Sequence, residues 1–272
     1  MDPAQAPNPA RAFLVDLAAC LRFYSRLPIP ALPFETDPHA MPDFRTVMRA
    51  LPVAGAIIGL SGALALALAG GLGLPATVAA ALALAALTLA TGAFHEDGLA
   101  DTADGFGGGA TRERKLDIMK DSRIGTYGGA ALVLSYLLRW SALQELVDMR
   151  GFELAAFVLV AVAAVSRTVA LTPLAMLPPA RDEGAAWRAG KPDAAALAIA
   201  GILAMLIAFL PVLAGASARQ CGIAILFAAF AAWGMTRIAA RQIGGQTGDV
   251  AGAAQQLAEM AGLCAFLIGA RL

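Results

Sequence analysis

From Leu74 to Ala93 the chain runs twenty residues without one charged side chain. A helix of about that length and character crosses the ~30 Å hydrocarbon core of a bilayer. It is one of about seven such stretches, at about 50–72, 74–94, 127–146, 154–177, 194–216, 219–236 and 250–270. Of 272 residues, 59% are hydrophobic and only 15% charged, where a soluble domain carries roughly a quarter. A soluble fold of this length has no room to hide so much apolar surface. The sequence therefore predicts an all-α, polytopic integral membrane helical bundle with about seven transmembrane helices, forming one membrane-embedded domain over 1–272.

Local features refine this. "GGLGLP" between the first two stretches reads as a tight turn. Phe13, Leu17, Leu21 and Tyr24 recur at helical spacing among Arg11, Arg22 and Arg26, which predicts an N-terminal amphipathic helix at the membrane surface or against the bundle. Ala and Gly fill the spans, so helix backbones can approach closely. The N-terminus, "MDPAQAPNPA", has neither a basic n-region nor an apolar h-region and is not expected to be a cleaved signal. Cys20, Cys221 and Cys264 are too few and scattered for a disulfide framework. A net charge of zero argues against nucleic acid as a partner.

Lysine and arginine set the expected sidedness. Fifteen of the 20 fall in the N-terminal segment and in the loops after spans two, four and six, against three (Arg150, Arg219, Arg271) on the other side. Basic residues favour the cytoplasm, so the N-terminus and the large polar loops are expected there, including loops at about 94–128 and 237–253.

The first of these loops opens with "FHEDGLADTADGFGGG", Phe94 to Gly109. Asp97, Asp101 and Asp104 stand at i, i+4 and i+7, on one face if the second span continues as a helix, with Glu96 on the neighbouring edge. Like charges this close repel and raise one another's pKa unless a cation intervenes. No lysine or arginine lies between Arg49 and Arg112. All-oxygen ligands call for a hard divalent ion, Mg2+ or manganese, rather than zinc. The alternative is a solvated acidic helix end. His95 beside the acids is either catalytic or a structural hydrogen-bond partner.

The glycines of "DGFGGG" give a ligand close access to backbone, or merely end a helix. Thr111 to Gly129, "TRERKLDIMKDSRIGTYGG", then brings five basic residues. Most read as a positive-inside flank. Arg123, with Lys120, Asp121, Ser122 and Gly125 around it, is a candidate for binding phosphate oxygens. "RQIGGQTGDVAGA" (Arg241 to Ala253) offers free backbone N–H groups near Gly245 and Thr247 at a helix start, with Asp249 as a further metal ligand or an N-cap. Within the spans, Arg167 needs a partner or a water-filled cavity and is a candidate to line the site; Arg139 is expected to snorkel or pair structurally.

Together these motifs resemble the adenosylcobinamide-GDP ribazoletransferase family, also called cobalamin (5′-phosphate) synthases. The resemblance runs through "RFYSRLPIP", "LPVAGAIIG", "GAFHEDGLADTADGFGG", "IMKDSRIGTYG" and "GGQTGDVAGA", in order along nearly the whole chain. Glu96 departs from the pattern, since many members carry an apolar residue there; this ranks it below Asp97, Asp101 and Asp104 as a ligand. The resemblance implies a multi-pass enzyme of the bacterial inner membrane, its site facing the cytoplasm and lipid around it. It implies transfer of α-ribazole, or its 5′-phosphate, onto adenosylcobinamide-GDP with release of GMP, requiring Mg2+. Asp97, Asp101 and Asp104 would hold the metal, Arg123 and Lys120 would stabilise the leaving phosphate, and His95 or a free aspartate would take the proton of the attacking hydroxyl, in the simplest version the ribazole 5′-hydroxyl. A homo-oligomer, or assembly with other enzymes of the same pathway, is compatible with it. CDP-alcohol phosphatidyltransferases share the acidic helix ends, but Asp101 falls where their motif has arginine. A transporter would place its acids nearer the midplane.

Overall fold

The computed structural model describes residues 8–38, 40–182, 187 and 190–268. Its helices are α1 (Pro9–Tyr24), α2 (Leu51–Gly71), α3 (Ala76–Thr91), α4 (Phe94–Gly108), α5 (Arg112–Ile118), α6 (Thr126–Val169), α7 (Thr172–Met176), α8 (Ala194–Ala208), α9 (Ala218–Gln242) and α10 (Gly248–Ala265). No strand occurs among the described residues, and the one bridge pairs Pro179 with Gln246. An all-α bundle is what the apolar periodicity called for. Arg188 and Arg271 of the charge count lie outside the described residues, as does most of the N-terminal "MDPAQAPNPA".

The long α6 is two helices. At Gly151 the backbone leaves helical geometry (φ 85°, ψ 168°), a conformation glycine adopts without steric cost. The halves run in opposite directions past α10: Ser135 meets Gln256 and Arg139 meets Glu259 on one side, while Ser166 meets Gln255 and Val162 lies against Gly262 on the other. The second half is buried almost all round from Val158 to Arg167, which marks a central helix. Helix α2 packs along it on glycines. A Cβ at Gly55, Gly59 or Gly62 would meet Ala163, Val160 or Leu159 at about 3 Å, so glycine sets this contact distance. Outward from α2, Leu60, Leu64 and Leu68 are exposed at helical spacing, as are Leu226, Phe227 and Phe230 of α9. That apolar exterior fits lipid, and the chain is a membrane protein.

Four segments are long and apolar enough to cross a membrane: Val47–Gly71, Thr126–Met176, Ala194–Ala214 and Ala218–Gln242. A fifth arises if α3 and α4 count as one, although they are bent by 89°. The expected seven stretches map onto α2, α3, the two halves of α6, α8, α9 and α10. The count falls for identifiable reasons. The two halves of α6 fall within one segment, Thr126–Met176, despite the break at Gly151; α3 alone is only 16 residues, and α10 carries Gln255, Gln256 and Glu259 turned inward. The fourth stretch also stops at Val169, short of 177, before the separate α7.

A larger departure concerns the second span, which does not continue through the aspartates. The chain turns at Gly92 (φ 64°) and Ala93 (φ 58°) and restarts as α4. A side chain at Gly92 would collide with Arg26, whose backbone N–H donates to Ala90 O at 2.7 Å. Ala93 holds a left-handed conformation that non-glycine residues rarely adopt, immediately before the acidic helix. The amphipathic α1 forms as expected and is tied down by ion pairs from Arg49 to Asp16 (2.5 Å) and from Arg22 to Glu35 (2.8 Å).

Candidate active site

After the 89° turn, α4 crosses the first turns of α10. Two glycines set the separation. A Cβ on Gly98 would sit 2.9 Å from the Asp249 carbonyl oxygen, and one on Gly252 would sit 3.3 Å from the Gly98 Cα. The crossing therefore brings Asp97 and Asp101 of α4 to the start of α10, where Asp249 stands. Asp97 is exposed, Asp101 and Asp249 are half-buried. Asp101 feels Asp97, Asp249 and Asp104 as like charges, with Arg181 the counter-charge.

Three segments distant in sequence are stitched together around this point. Ala180 N–H donates to Gln246 O (2.8 Å) and Gln246 N–H to Pro178 O (2.9 Å). Gly245 permits that pairing, since a Cβ would sit 2.6 Å from Pro178 O. Arg112 donates to Ile243 O (2.8 Å) and Ala180 O (2.7 Å), and Arg181 donates to Leu116 O (2.9 Å) while lying 3.8 Å from the Asp249 carboxylate. Thr247 is the N-cap of α10: its hydroxyl accepts from Val250 N–H at 3.2 Å and donates to Asp249 Oδ2 at 3.2 Å. Capping thus falls to Thr247, leaving Asp249 free to face Arg181.

Asp104 is placed differently from its two neighbours. It is buried, and its oxygens accept from Gly125 N–H (2.7 Å) and Gly128 N–H (2.8 Å), the free donors at the start of α6. Gly125 and Gly128 are needed there because a Cβ on either would overlap that carboxylate. Glu96 also turns away, into the bundle, where Arg139 holds it at 3.1 Å. Helix α4 does carry Asp97, Asp101 and Asp104 at i, i+4 and i+7, while these two engagements give Asp104 and Glu96 protein partners of their own. Among the described residues, no three His, Cys, Asp or Glu side chains are already gathered as a coordination shell. The donor set at Asp97, Asp101 and Asp249 nonetheless suits a hard divalent ion: all are carboxylates, and repulsion at Asp101 calls for positive charge.

Arg123 lies on the loop before α6, exposed and paired with Asp121 at 2.6 Å. That pairing holds the Asp121 carboxyl down at about 2. Lys120 and Ser122 are exposed on the same loop. The loop adjoins the acidic cluster through Gly125 and Asp104, while the Arg123 guanidinium itself points to solvent.

His95 is buried, stacked nearly parallel on Tyr24 (centroids 5.9 Å, 4°). With Arg167 it lines a pocket that none of the four aspartates reaches. Arg167 is likewise buried, donating to Ala163 O (3.0 Å) and lying 3.9 Å from Glu259. Arg139 bridges Glu96 and Glu259, both at 3.1 Å, and Gln255 donates to Glu259 (2.6 Å) and Ser166 (3.0 Å). Two arginines and two glutamates thus balance within the apolar bundle.

Sequence reasoning passed over Arg181 as a site residue and over Glu259 and Gln255 altogether. The available signal for the last two was a Gln and a Glu spaced i, i+4 inside an otherwise apolar span. Arg181 gave none, because only the fold brings it beside Asp249.

A family model described as Cobalamin-5-phosphate synthase matches residues 16–267. The adenosylcobinamide-GDP ribazoletransferase of Azorhizobium caulinodans is 50% identical over 258 residues, covering 95% of this chain and 97% of the relative. Its namesake in Xanthobacter autotrophicus is 52% identical over 256 residues (93% and 96% of the two chains). That of Mesorhizobium japonicum is 47% identical over 251 residues (92% of each). No solved structure matches this chain.

Proposed function

Because this chain belongs to the cobalamin-5-phosphate synthase family, we propose that it joins α-ribazole, or α-ribazole 5′-phosphate, to adenosylcobinamide-GDP and releases GMP. The observation that carries this reading to particular residues is the meeting of Asp97 and Asp101 on α4 with Asp249 on α10, beside Arg181. Acidic and basic groups at one end of an apolar bundle suit a pyrophosphate substrate.

For the phosphorylated acceptor, the family description supports an attacking group other than the 5′-hydroxyl expected from the simplest version. A synthase of cobalamin 5-phosphate leaves the 5′-oxygen of the acceptor bearing its phosphate, so that oxygen is not free to attack. Another ribose hydroxyl does so, forming an O–P bond to the cobinamide-bearing phosphorus while the P–O bond to GMP breaks. GMP departs with the bonding pair. In such transfers, positioning and charge neutralisation dominate.

Asp97, Asp101 and Asp249 would hold Mg2+, which when bound neutralises pyrophosphate oxygens. Arg181 fixes Asp249 and adds positive charge. His95, two residues before Asp97, takes the proton of the attacking hydroxyl. Asp104 holds the Gly125–Gly128 turn, so that the loop carrying Lys120 and Arg123 sits where Arg123 can swing from Asp121 to the departing phosphate. The excess of lysine and arginine in the loops at this end of the bundle supports a site on the cytoplasmic side of the bacterial inner membrane, where nucleotide substrates are found.

The test uses purified protein in nanodiscs with adenosylcobinamide-GDP, α-ribazole and Mg2+, following GMP and cobalamin by chromatography. Turnover is expected, abolished by EDTA and reduced by about a hundredfold or more in Asp101→Asn. Folded protein that releases no GMP overturns the reaction; EDTA-insensitive turnover overturns the metal assignment.

A further inference from the structure

Next to the aspartates, on α4 and α10, lies a half-open pocket of about 600 Å³ when the open solvent at its mouth is counted. Its walls come from the end of α1, from Phe44, from α4 and from the start of α10. Phe23 packs edge-on against Tyr24 and Phe44 (both 4.8 Å) and against Phe94 (5.6 Å), making an aromatic corner. Such a site takes a flat, largely apolar ring. Its side-chain polar groups are few, chiefly His95 and Arg167. Arg167 is 3% exposed, and its Nε–H has no hydrogen-bond partner.

The geometry points to this pocket as the seat of the acceptor's base, the benzimidazole ring of the ribazole; the assignment rests on the function proposed above. Among the rings of the two substrates, guanine carries a full edge of donors and acceptors that these walls leave unanswered. The corrin is far too large. The benzimidazole ring of a riboside is flat and nearly apolar, with one unsubstituted ring nitrogen, a demand that the few polar side chains here, His95 and Arg167, match better than they match guanine. The pocket also shares its walls with the chemistry. Phe94 and His95 precede Asp97 on α4, and Gly248 precedes Asp249 on α10. A base seated here extends its ribose past His95 toward the carboxylates, so the hydroxyl that attacks and the imidazole that takes its proton meet at the rim.

Ala251 lines the pocket from α10 and Leu174 from α7, which permits a size test. Turnover is measured with two acceptors, the ribosides of benzimidazole and of its bulkier 5,6-dimethyl form, holding adenosylcobinamide-GDP at saturation and then varying it. Ala251→Leu is expected to shift the kcat/KM ratio at least tenfold toward the smaller base, leaving the KM for adenosylcobinamide-GDP within twofold of the parent. Leu174→Ala, which enlarges the opposite wall, is expected to shift the ratio toward the larger base. A ratio unchanged in both variants, or a change in the KM for adenosylcobinamide-GDP instead, overturns the subsite while leaving the reaction standing. Absence of turnover in the parent protein overturns the reaction and the subsite with it.

Discussion

The guanidinium of Arg139, in the first half of α6, lies 3.1 Å from the Glu96 carboxylate on α4, and both side chains are buried. The same guanidinium reaches Glu259 on α10 at 3.1 Å, so one arginine ties together the two helices that carry the acidic cluster. Removing it strands the Glu96 carboxylate in an apolar interior and leaves Glu259 to Gln255 and Arg167. Arg139→Met is expected to destabilise the protein by about 3–5 kcal/mol, the scale for breaking a buried pair. Glu96→Leu leaves Arg139 paired with Glu259 and is expected to cost less, with the Mg2+ dependence of turnover unchanged. Thermal unfolding in detergent alongside a Mg2+ titration checks both. A raised Mg2+ requirement in Glu96→Leu, at parent stability, would make Glu96 a ligand after all.

Asp104 is expected to act on stability as well as turnover. Its two oxygens answer Gly125 N–H and Gly128 N–H at the start of α6, and loss of such a cap costs about 0.5–2 kcal/mol. Asp104→Ala should therefore lower the unfolding temperature, whereas Asp101→Asn should lower turnover at unchanged unfolding temperature. Equal unfolding temperatures for parent and Asp104→Ala would remove the capping role.

This contrast shows what the chain disclosed by itself and what it withheld. The apolar stretches predicted the helices because burial in lipid depends on composition over a whole turn-by-turn window, which the sequence displays directly. The spacing of Asp97, Asp101 and Asp104 was equally visible. Their separation into two exposed or half-exposed acids and one buried cap was not, because it depends on where α6 begins relative to α4. The 89° turn was hidden too, since Ala93 takes a conformation that its residue type disfavours. The local absence of basic residues was real, yet Arg139 and Arg181 arrive from far along the chain. Only packing could reveal them.

Arg123 offers a separation of structure from chemistry. Its pair with Asp121 lies at the surface, so Arg123→Ala is expected to leave the unfolding temperature near neutral pH unchanged. Because the pairing lowers the Asp121 pKa, what it contributes is present above the ordinary carboxylate value of 3.8 and is lost as pH falls toward about 2. Near neutral pH any effect of the substitution must then come from the substrate. Turnover is expected to fall about a hundredfold, with partial recovery in Arg123→Lys, as measured by GMP release. Parent-level turnover in Arg123→Ala would remove the arginine from the reaction.

The most demanding prediction concerns Gly98, which carries no functional group. A methyl there would lie 2.9 Å from the Asp249 carbonyl oxygen, 3.1 Å from its Cα and 3.2 Å from the Gly252 Cα. Those are backbone atoms of a capped helix and have little freedom to move aside, so α4 and α10 must separate. Overpacking of this kind costs about 1–3 kcal/mol, and here it also carries Asp249 away from Asp97 and Asp101. Gly98→Ala should lower the unfolding temperature and raise the Mg2+ concentration for half-maximal GMP release by about tenfold, the equivalent of about 1.4 kcal/mol. Gly222→Ala on α9, where a Cβ meets nothing within 4 Å, is the matched control and should change neither. If Gly98→Ala loses stability but keeps the parent Mg2+ requirement, the crossing of α4 over α10 holds the fold without assembling the acidic cluster.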